Sequence, residues 1–277
     1  MWRPEGRDAY RGCLTVAAET AIRAGELLHE RFGRKQEVRY KGIVDLVTEM
    51  DHRSQKFILK HLRNHFPGHH FLSEEMTAAP VASDCLWIID PLDGTTNYAH
   101  GFPIYSVSIA LMMEGQIVIG AVYCPTLGEL YTAQRGEGAR LNSRRLRVST
   151  VSKLDRALLA TGFPYDIRTT RDNNIAYFTR FIRAAQAVRR AGSAALDLCC
   201  LAAGRFDGFW EIKLKSWDVA AALLVVTEAG GVLTDFAGKP VDPLRPDRVV
   251  ASNGRIHRAM LNILANRRIP HGPARQR

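Results

Sequence analysis

The sequence predicts a mixed α/β protein in which layers of helices and sheets pack on one another. Three observations carry that reading. Residues 7–32 place Leu14, Ala17, Ala21, Ala24 and Leu28 on one face at the period of an amphipathic helix, and Gly33 stops it. Residues 86–89, 105–113, 116–124 and 129–134 are short apolar runs rich in β-branched residues, the pattern of strands. From residue 157 onward, strand-like and helix-like segments alternate.

In chain order, a strand-like stretch near residues 37–40 follows the first helix. Thr48 and Asp51 match the S/T-x-x-D/E capping pattern ahead of Phe57, Ile58, Leu62 and Phe66, which opens a second helix. The strand at 86–89 is expected to end at Asp90, because Pro91 has no N–H with which to extend a ladder. Asp93-Gly94 then gives a turn, and Thr95 and Thr96 stand at the N-cap of a short helix. Glu114-Gly115 joins two strands in a hairpin. The polar, basic stretch at 136–151 reads as a boundary, dividing the chain into halves at 1–150 and 151–270.

In the second half, a strand near 157–161 leads to a helix at about 173–188. Gly192-Ser193 opens another helix, which ends at Gly204. A strand at 206–212 precedes a helix over 216–229, closed by Gly230-Gly231. Strands near 232–236 and 248–251 and a helix over 254–266 complete the pattern. Residues 271–277, after Pro270, read as a disordered tail.

With 277 residues and 46% apolar content the chain suits one large domain or two closely packed halves. It has no run of about 18 uncharged apolar residues, so no transmembrane helix is expected. The charged residues Arg3, Glu5, Arg7 and Asp8 precede no apolar segment, and a secretory signal is not expected either. Cys13, Cys85, Cys124, Cys199 and Cys200 are odd in number and lack C-x-x-C spacing. They fit reduced thiols in a cytoplasmic protein without structural zinc. The formal charge of +10 invites a nucleic-acid reading. Yet the basic residues are scattered, and no aromatic-interleaved basic ribbon accompanies them, so most belong to a solvated face. A positive field would equally attract a phosphorylated metabolite.

The most informative stretch is W-I-I-D-P-L-D-G-T-T-N, residues 87–97. It holds Asp90 and Asp93 at the end of a strand beside the free amides of a helix start, a place that suits a divalent cation and a phosphate together. Asp90, Pro91, Asp93, Gly94 and Thr95 coincide by chance in roughly 10⁻⁴ of chains this long.

With that stretch the chain resembles the inositol monophosphatase family, magnesium-dependent and lithium-sensitive sugar phosphatases. The likeness extends over D-L-V-T-E-M-D (45–51), S-E-E (73–75), R-A-G-S-A-A (190–195), D-G-F-W-E (207–211) and W-D-V-A-A-A-L-L-V-V-T-E-A-G-G (217–231). It implies a layered α-β-α-β-α sandwich of the inositol monophosphatase and fructose-1,6-bisphosphatase type. It also implies two magnesium ions, with a third, weaker one near Glu74. Glu74, Asp90 and the carbonyl of Leu92 would bind the first ion. Asp90, Asp93 and Asp218 would bind the second, Asp90 bridging.

Two carboxylates about 4 Å apart repel by roughly 4 kcal/mol at an effective dielectric near 20. Gathering four without cations would be destabilising, so the set itself argues for metal. The resemblance further implies a water on the first ion as nucleophile, oriented by Glu74 and Thr95, with Asp51 helping to accept its proton. Asp51 also has a simpler role, as partner of Thr48 in the capping box. No Ser-His-Asp or Cys-His pattern is present, and His69-His70 reads as surface.

Phosphate is expected against the amides of Gly94 and Thr95, with Asp93 beside it. Gly192, Ser193 and Ala194 would face the sugar ring and phosphate, and Glu211 would accept hydrogen bonds from ring hydroxyls. Lys213 and Lys215 depart from the family pattern and leave the exact substrate open. Lys41 lies near a loop lysine of the family but is assigned no role. The expected substrate is inositol monophosphate or a related sugar phosphate. Fructose 1,6-bisphosphate, histidinol phosphate and an adenosine bisphosphate share the chemistry. A homodimer is expected from the resemblance. A binding role with RNA or the transcription machinery is the reading of a different class.

Overall fold

The computed structural model describes residues 10–34, 38–40, 46–76 and 83–266. Lys41 and the tail lie outside them. The elements in order are α1 (Arg11–His29), β1 (Val38–Tyr40), β2 (Leu46–Thr48), α2 (Glu49–His65), β3 (His70–Ser73), β4 (Cys85–Asp93), α3 (Thr95–Ala99), β5 (Ser106–Met113), β6 (Gln116–Cys124), β7 (Glu129–Gln134), β8 (Gly138–Leu141) and β9 (Arg144–Arg145). After a 3₁₀ turn come β10 (Leu158–Thr161), α4 (Ile175–Ala184), β11 (Ala187–Arg189), α5 (Ala194–Ala202), β12 (Gly208–Ile212), α6 (Ser216–Glu228), β13 (Val232–Thr234), β14 (Arg248–Ser252) and α7 (His257–Leu264).

Strands β3 to β9 form a seven-stranded sheet in sequence order, with β3 parallel to β4 and every later pair antiparallel. A five-stranded sheet runs β11-β10-β12-β14-β13, and β1 pairs with β2 alone. The period-2 alternation of β4 explains the layering. Trp87 and Ile89 face one way, into a core with Ala17, Ala21, Ala24 and Leu28 of α1 and Ile58 and Leu62 of α2. Leu86 and Ile88 face the other way, into a core with α5 and α6 that also takes in Phe209 of β12 and Val249 of β14. The far side of the second sheet packs Leu159, Trp210 and Val250 against Phe181 of α4 and Met260 of α7. Helix pair, sheet, helix pair, sheet, helix pair: this is the five-layered sandwich.

Several boundaries differ from those the sequence suggested. The strand expected to stop at Asp90 runs on to Asp93. Its pairing with β5 shifts there, Asp90 opposite Ser108 but Asp93 opposite Ser106, so one extra residue is accommodated as a bulge around Pro91. A bulge absorbs the missing N–H without ending the strand. The helix expected over 173–188 stops at Ala184 and is followed by β11. The stretch at 136–151 contributes β8 and β9 to the seven-stranded sheet. Its exposed Arg144 and Arg145 are a two-residue edge strand, where charge discourages pairing with another chain. His69 and His70 are half-buried, and His69 accepts a hydrogen bond from Trp87 Nε1 at 3.0 Å. The run read as surface thus leads into the short edge strand β3, which pairs His70 to Ser73 with Leu86 to Ile89.

Candidate active site

The bulge in β4 sets the geometry. By alternation Asp90 lies on the face of Leu86 and Ile88, the side that α6 covers, and is 2% exposed. Leu92 N–H donates to Asp90 Oδ1 at 3.0 Å, which folds the bulge around the carboxylate. Ser54 of α2 donates to the Pro91 carbonyl at 2.8 Å and ties the bulge to the outer helix layer. Because β3 is parallel to β4, its end brings Glu74 alongside, with Glu74 N–H donating to the Ile89 carbonyl at 3.3 Å.

Gly94 follows with φ +89, as the N-cap of α3. A Cβ at this position would meet the Ile104 carbonyl at 2.9 Å, so both conformation and space require glycine. The N-cap role expected of Thr95 or Thr96 therefore falls to Gly94, and Thr95 is the first helical residue. Its hydroxyl lies 3.0 Å from both Asp51 Oδ1 and the Leu92 carbonyl. The other oxygen of Asp51 accepts from Thr48 N–H at 2.8 Å and from the Thr48 hydroxyl at 2.7 Å. The capping box and the link to Thr95 thus use different oxygens and coexist.

Asp93 Oδ2 accepts from Ser193 Oγ, from Ala195 N–H at 3.1 Å and from Ser106 Oγ at 3.3 Å. Ser193 in turn caps α5 by accepting from Leu196 N–H at 3.2 Å. Asp218, in the first turn of α6, accepts from Lys215 N–H at 2.7 Å. Glu211 projects from β12 over Gly162, where an added Cβ would stand 2.1 Å from its Oε1.

Glu74, Asp90, Leu92, Asp93, Gly94, Thr95, Gly192, Ser193, Ala194, Glu211 and Asp218 line one cavity of about 460 Å³. All residues expected at a metal or substrate site are brought together there. Asp51 stands behind Thr95, fully buried.

The electrostatics of this wall are one-sided. Burial raises the Asp90 carboxyl well above the usual range, and Glu74, Asp93 and Asp218 each raise it further. Burial pushes Asp93 up to about 6, against the pull of its Ser193, Ala195 and Ser106 hydrogen bonds. Glu211 is pushed up to about 8, by burial and then by Asp218 and Asp93. Asp51 is raised by burial and held back by Thr48 and Thr95. Carboxylates that disfavour one another's charge so strongly suit a site completed by cations. Among the described residues no three acidic, histidine or cysteine side chains stand in a ready-made metal cage. An open set of carboxylates fits magnesium, which keeps several waters in its shell, better than a fully protein-ligated ion.

A model of the inositol monophosphatase family matches residues 10–268. The chain belongs to that family. The inositol-1-monophosphatase of Synechocystis sp. is 42% identical over 91% of this chain and 88% of its own length. A Haemophilus influenzae protein named Nus factor SuhB is also 42% identical, over 90% of this chain and 94% of its own. Among solved structures, the inositol monophosphatase of Anabaena (Nostoc) sp. superposes with a TM-score of 0.83 at 40% identity, covering 93% of this chain and 97% of that one. An IMPase/NADP phosphatase complexed with Mg²⁺ and phosphate superposes at 0.77 with 27% identity, covering 87% and 90%. Membership makes the chain a phosphoric monoester hydrolase.

Gly192, Ser193 and Ala194, expected to face the sugar ring and phosphate, line the cavity, and the Ala195 amide next to them donates to Asp93 Oδ2. Lys213 forms an ion pair with Asp166 at 2.6 Å across the cavity rim, while Lys215 is exposed and serves Asp218 through its backbone.

Four residues were missed by sequence reasoning. Asn97 donates to the Ile104 carbonyl at 2.7 Å and the Ala191 carbonyl at 2.8 Å, locking α3 to the Gly192 turn. Its place at the end of the D-G-T-T-N motif was the available signal. Ser54 and Gly162 matter only through contacts distant in sequence. Asp197, in the first turn of α5, is buried in the cavity wall.

Proposed function

We propose that this enzyme hydrolyses a phosphate monoester of inositol or a closely related polyol or sugar with the help of magnesium. The observation that carries the reading is the convergence of Glu74, Asp90, Asp93 and Asp218 on one cavity floor, with Asp90 buried among the other three. Glu74, Asp90 and the Leu92 carbonyl would hold one ion, and Asp90, Asp93 and Asp218 a second. A third, weaker ion near Glu74 belongs to the same reading. When bound, magnesium would acidify water and neutralise charge on the phosphoryl group and leaving oxygen.

The chain's own residues then have distinct tasks. Asp93 spends Oδ2 on Ser193 and the start of α5, which leaves Oδ1 available to an ion in the cavity that the residue lines. Thr95 donates its hydroxyl hydrogen bond to Asp51 Oδ1, so its oxygen can accept from the attacking water; as that water's proton moves onto Thr95, the Thr95 proton moves on to Asp51. Glu74 orients that water from the β3 side. Gly94 and Thr95 amides and the Gly192–Ala194 turn receive the phosphate, aided by helix N-terminal charge. Glu211 accepts hydrogen bonds from substrate hydroxyls.

The test is a panel of inositol, sugar, bisphosphate and aryl phosphates assayed with magnesium and again with chelator. Activity surviving chelation would remove the metal assignment. Lithium is expected to inhibit at millimolar levels through the Asp90–Asp93–Asp218 site, and excess magnesium should relieve it. A cytoplasmic homodimer belongs to the same proposal, and sedimentation finding only monomer at micromolar concentration would exclude the dimer. No helix among the described residues is long and apolar enough to cross a membrane.

A second reading, association with the transcription machinery, is favoured by the relative named Nus factor SuhB, as similar to this chain as the inositol-1-monophosphatase. Pull-down of RNA polymerase or RNA, set beside the substrate panel, separates the two.

A further inference from the structure

Asp197 lies in the first turn of α5 and is 2% exposed. No hydrogen bond from any described residue reaches its carboxylate. The charged groups acting on it are Glu211 and Asp93, both of its own sign, and Arg190, which forms no ion pair with it. A carboxylate held at so low an exposure among like charges works against the fold, and its oxygens are left to the cavity it lines. The helix does not need it, because Ser193 and Asp93 already satisfy the first amides of α5. Asp197, Glu211 and Arg190 line the same cavity. A residue that works against stability and faces a substrate cavity is placed there for binding.

We infer that Asp197 is a second hydroxyl-binding carboxylate, which together with Glu211 selects substrates carrying several neighbouring hydroxyls. With cations completing the site and drawing the two carboxylates into their ionised form, each only accepts hydrogen bonds and has room for about four. Two of them in one wall suit a ring dense in hydroxyl donors and offer nothing to an aryl ester. Arg190, on the same wall, limits the net charge of the pair. This inference rests on the polyol-phosphate reading above and adds a specificity-determining residue to it.

The test compares wild-type enzyme, Asp197→Asn and Asp197→Ala on inositol 1-phosphate and p-nitrophenyl phosphate, with magnesium titration and thermal unfolding. KM for inositol phosphate should rise about tenfold in Asp197→Asn, which keeps a neutral acceptor, and up to about a hundredfold in Asp197→Ala. Its kcat should change little. Aryl phosphate kinetics and magnesium half-saturation should stay as in the wild type, and Tm should be equal or higher. Equal loss on both substrates, a shifted magnesium requirement, or a lowered Tm with intact kinetics would each overturn the inference. If wild-type enzyme cleaves inositol phosphate and both variants match it, only this inference fails. If wild-type enzyme cleaves the aryl ester and no polyol phosphate, the proposed substrate class fails and this inference with it.

Discussion

The hydroxyl of Ser193 donates to Asp93 Oδ2, joining the end of β4 to the start of α5 across one hundred residues of chain. The same hydroxyl oxygen accepts from Leu196 N–H, so one side chain both caps a helix and fixes a carboxylate of the cavity floor. The relationship couples stability to the site. Ser193→Ala should cost about 1–2 kcal/mol, combining a lost N-cap with a weakened buried acceptor. Urea denaturation measures it, and an unchanged midpoint would mean that the Ala195 and Ser106 bonds hold Asp93 by themselves.

Asp93→Asn tests the chemistry with less disturbance of the fold. An amide oxygen can still accept from Ser193 and Ala195, while the charge facing the cavity is gone. Turnover should fall about a hundredfold or more, the scale of losing a directly acting electrostatic group. Circular dichroism should be unchanged. Wild-type turnover in this variant would exclude Asp93 as a metal ligand.

Much of this arrangement was legible because it is written in short segments. Asp90, Asp93, Gly94 and Thr95 sit within one strand-to-helix transition, and Thr48–Asp51 is a local capping pattern. The apolar periods of α1 and α2 and the Gly230-Gly231 stop of α6 predicted those helices for the same local reason. What the sequence concealed was set by contacts between distant segments. Pro91 looked like a strand end because only the β5 partner, Ser106 to Ser108, shows that the ladder resumes after a bulge. Asp197 carried no signal because nothing local says that Asp93 already occupies the helix start and that the residue faces the cavity. Gly162 was mute because the group it makes room for, Glu211, lies on another strand.

Thr95→Val keeps the shape of the side chain and removes its hydroxyl. If Thr95 relays a proton toward Asp51, kcat should fall about 10²- to 10⁴-fold with KM little changed, and Thr95→Ser should restore most of it. Steady-state kinetics on a single phosphate ester decide the point. Equal losses in the Val and Ser variants would assign Thr95 a packing role.

Away from the site, Glu129 offers a pH test whose sign is fixed by its partner. Arg205 donates through both terminal nitrogens, at 2.7 and 2.5 Å, and holds the Glu129 carboxyl below its usual value of 4.5, with the Tyr131 hydroxyl assisting against burial. A carboxyl depressed by folding contributes stability that is whole above the unfolded value and is lost as pH falls through the folded one. The stability gap between wild type and Arg205→Ala should therefore be largest above about pH 4.5 and close below it. Arg205 is partly exposed, so screening keeps the contribution near 1 kcal/mol. A gap independent of pH would point to packing of the arginine stem.

Two substitutions around Glu211 should converge on one phenotype. Glu211→Gln removes the charge that accepts hydroxyl hydrogen bonds. Gly162→Ala leaves that charge in place but puts a methyl 2.1 Å from where Oε1 stands, closer than any real contact, so the carboxylate must move. Gly162 does not have a positive φ, so alanine adds no backbone strain there. Each variant should lose about ten- to one-hundred-fold in kcat/KM on inositol phosphate, the range for hydrogen bonds to a charged group. Each should also retain most activity on an aryl phosphate, whose leaving group has no ring hydroxyls to lose. If Glu211→Gln is selective and Gly162→Ala is not, the loop after β10 has a separate task in catalysis. If neither discriminates between the substrates, Glu211 supports the carboxylate floor through Asp218 and Asp93, and hydroxyl recognition lies elsewhere in the cavity.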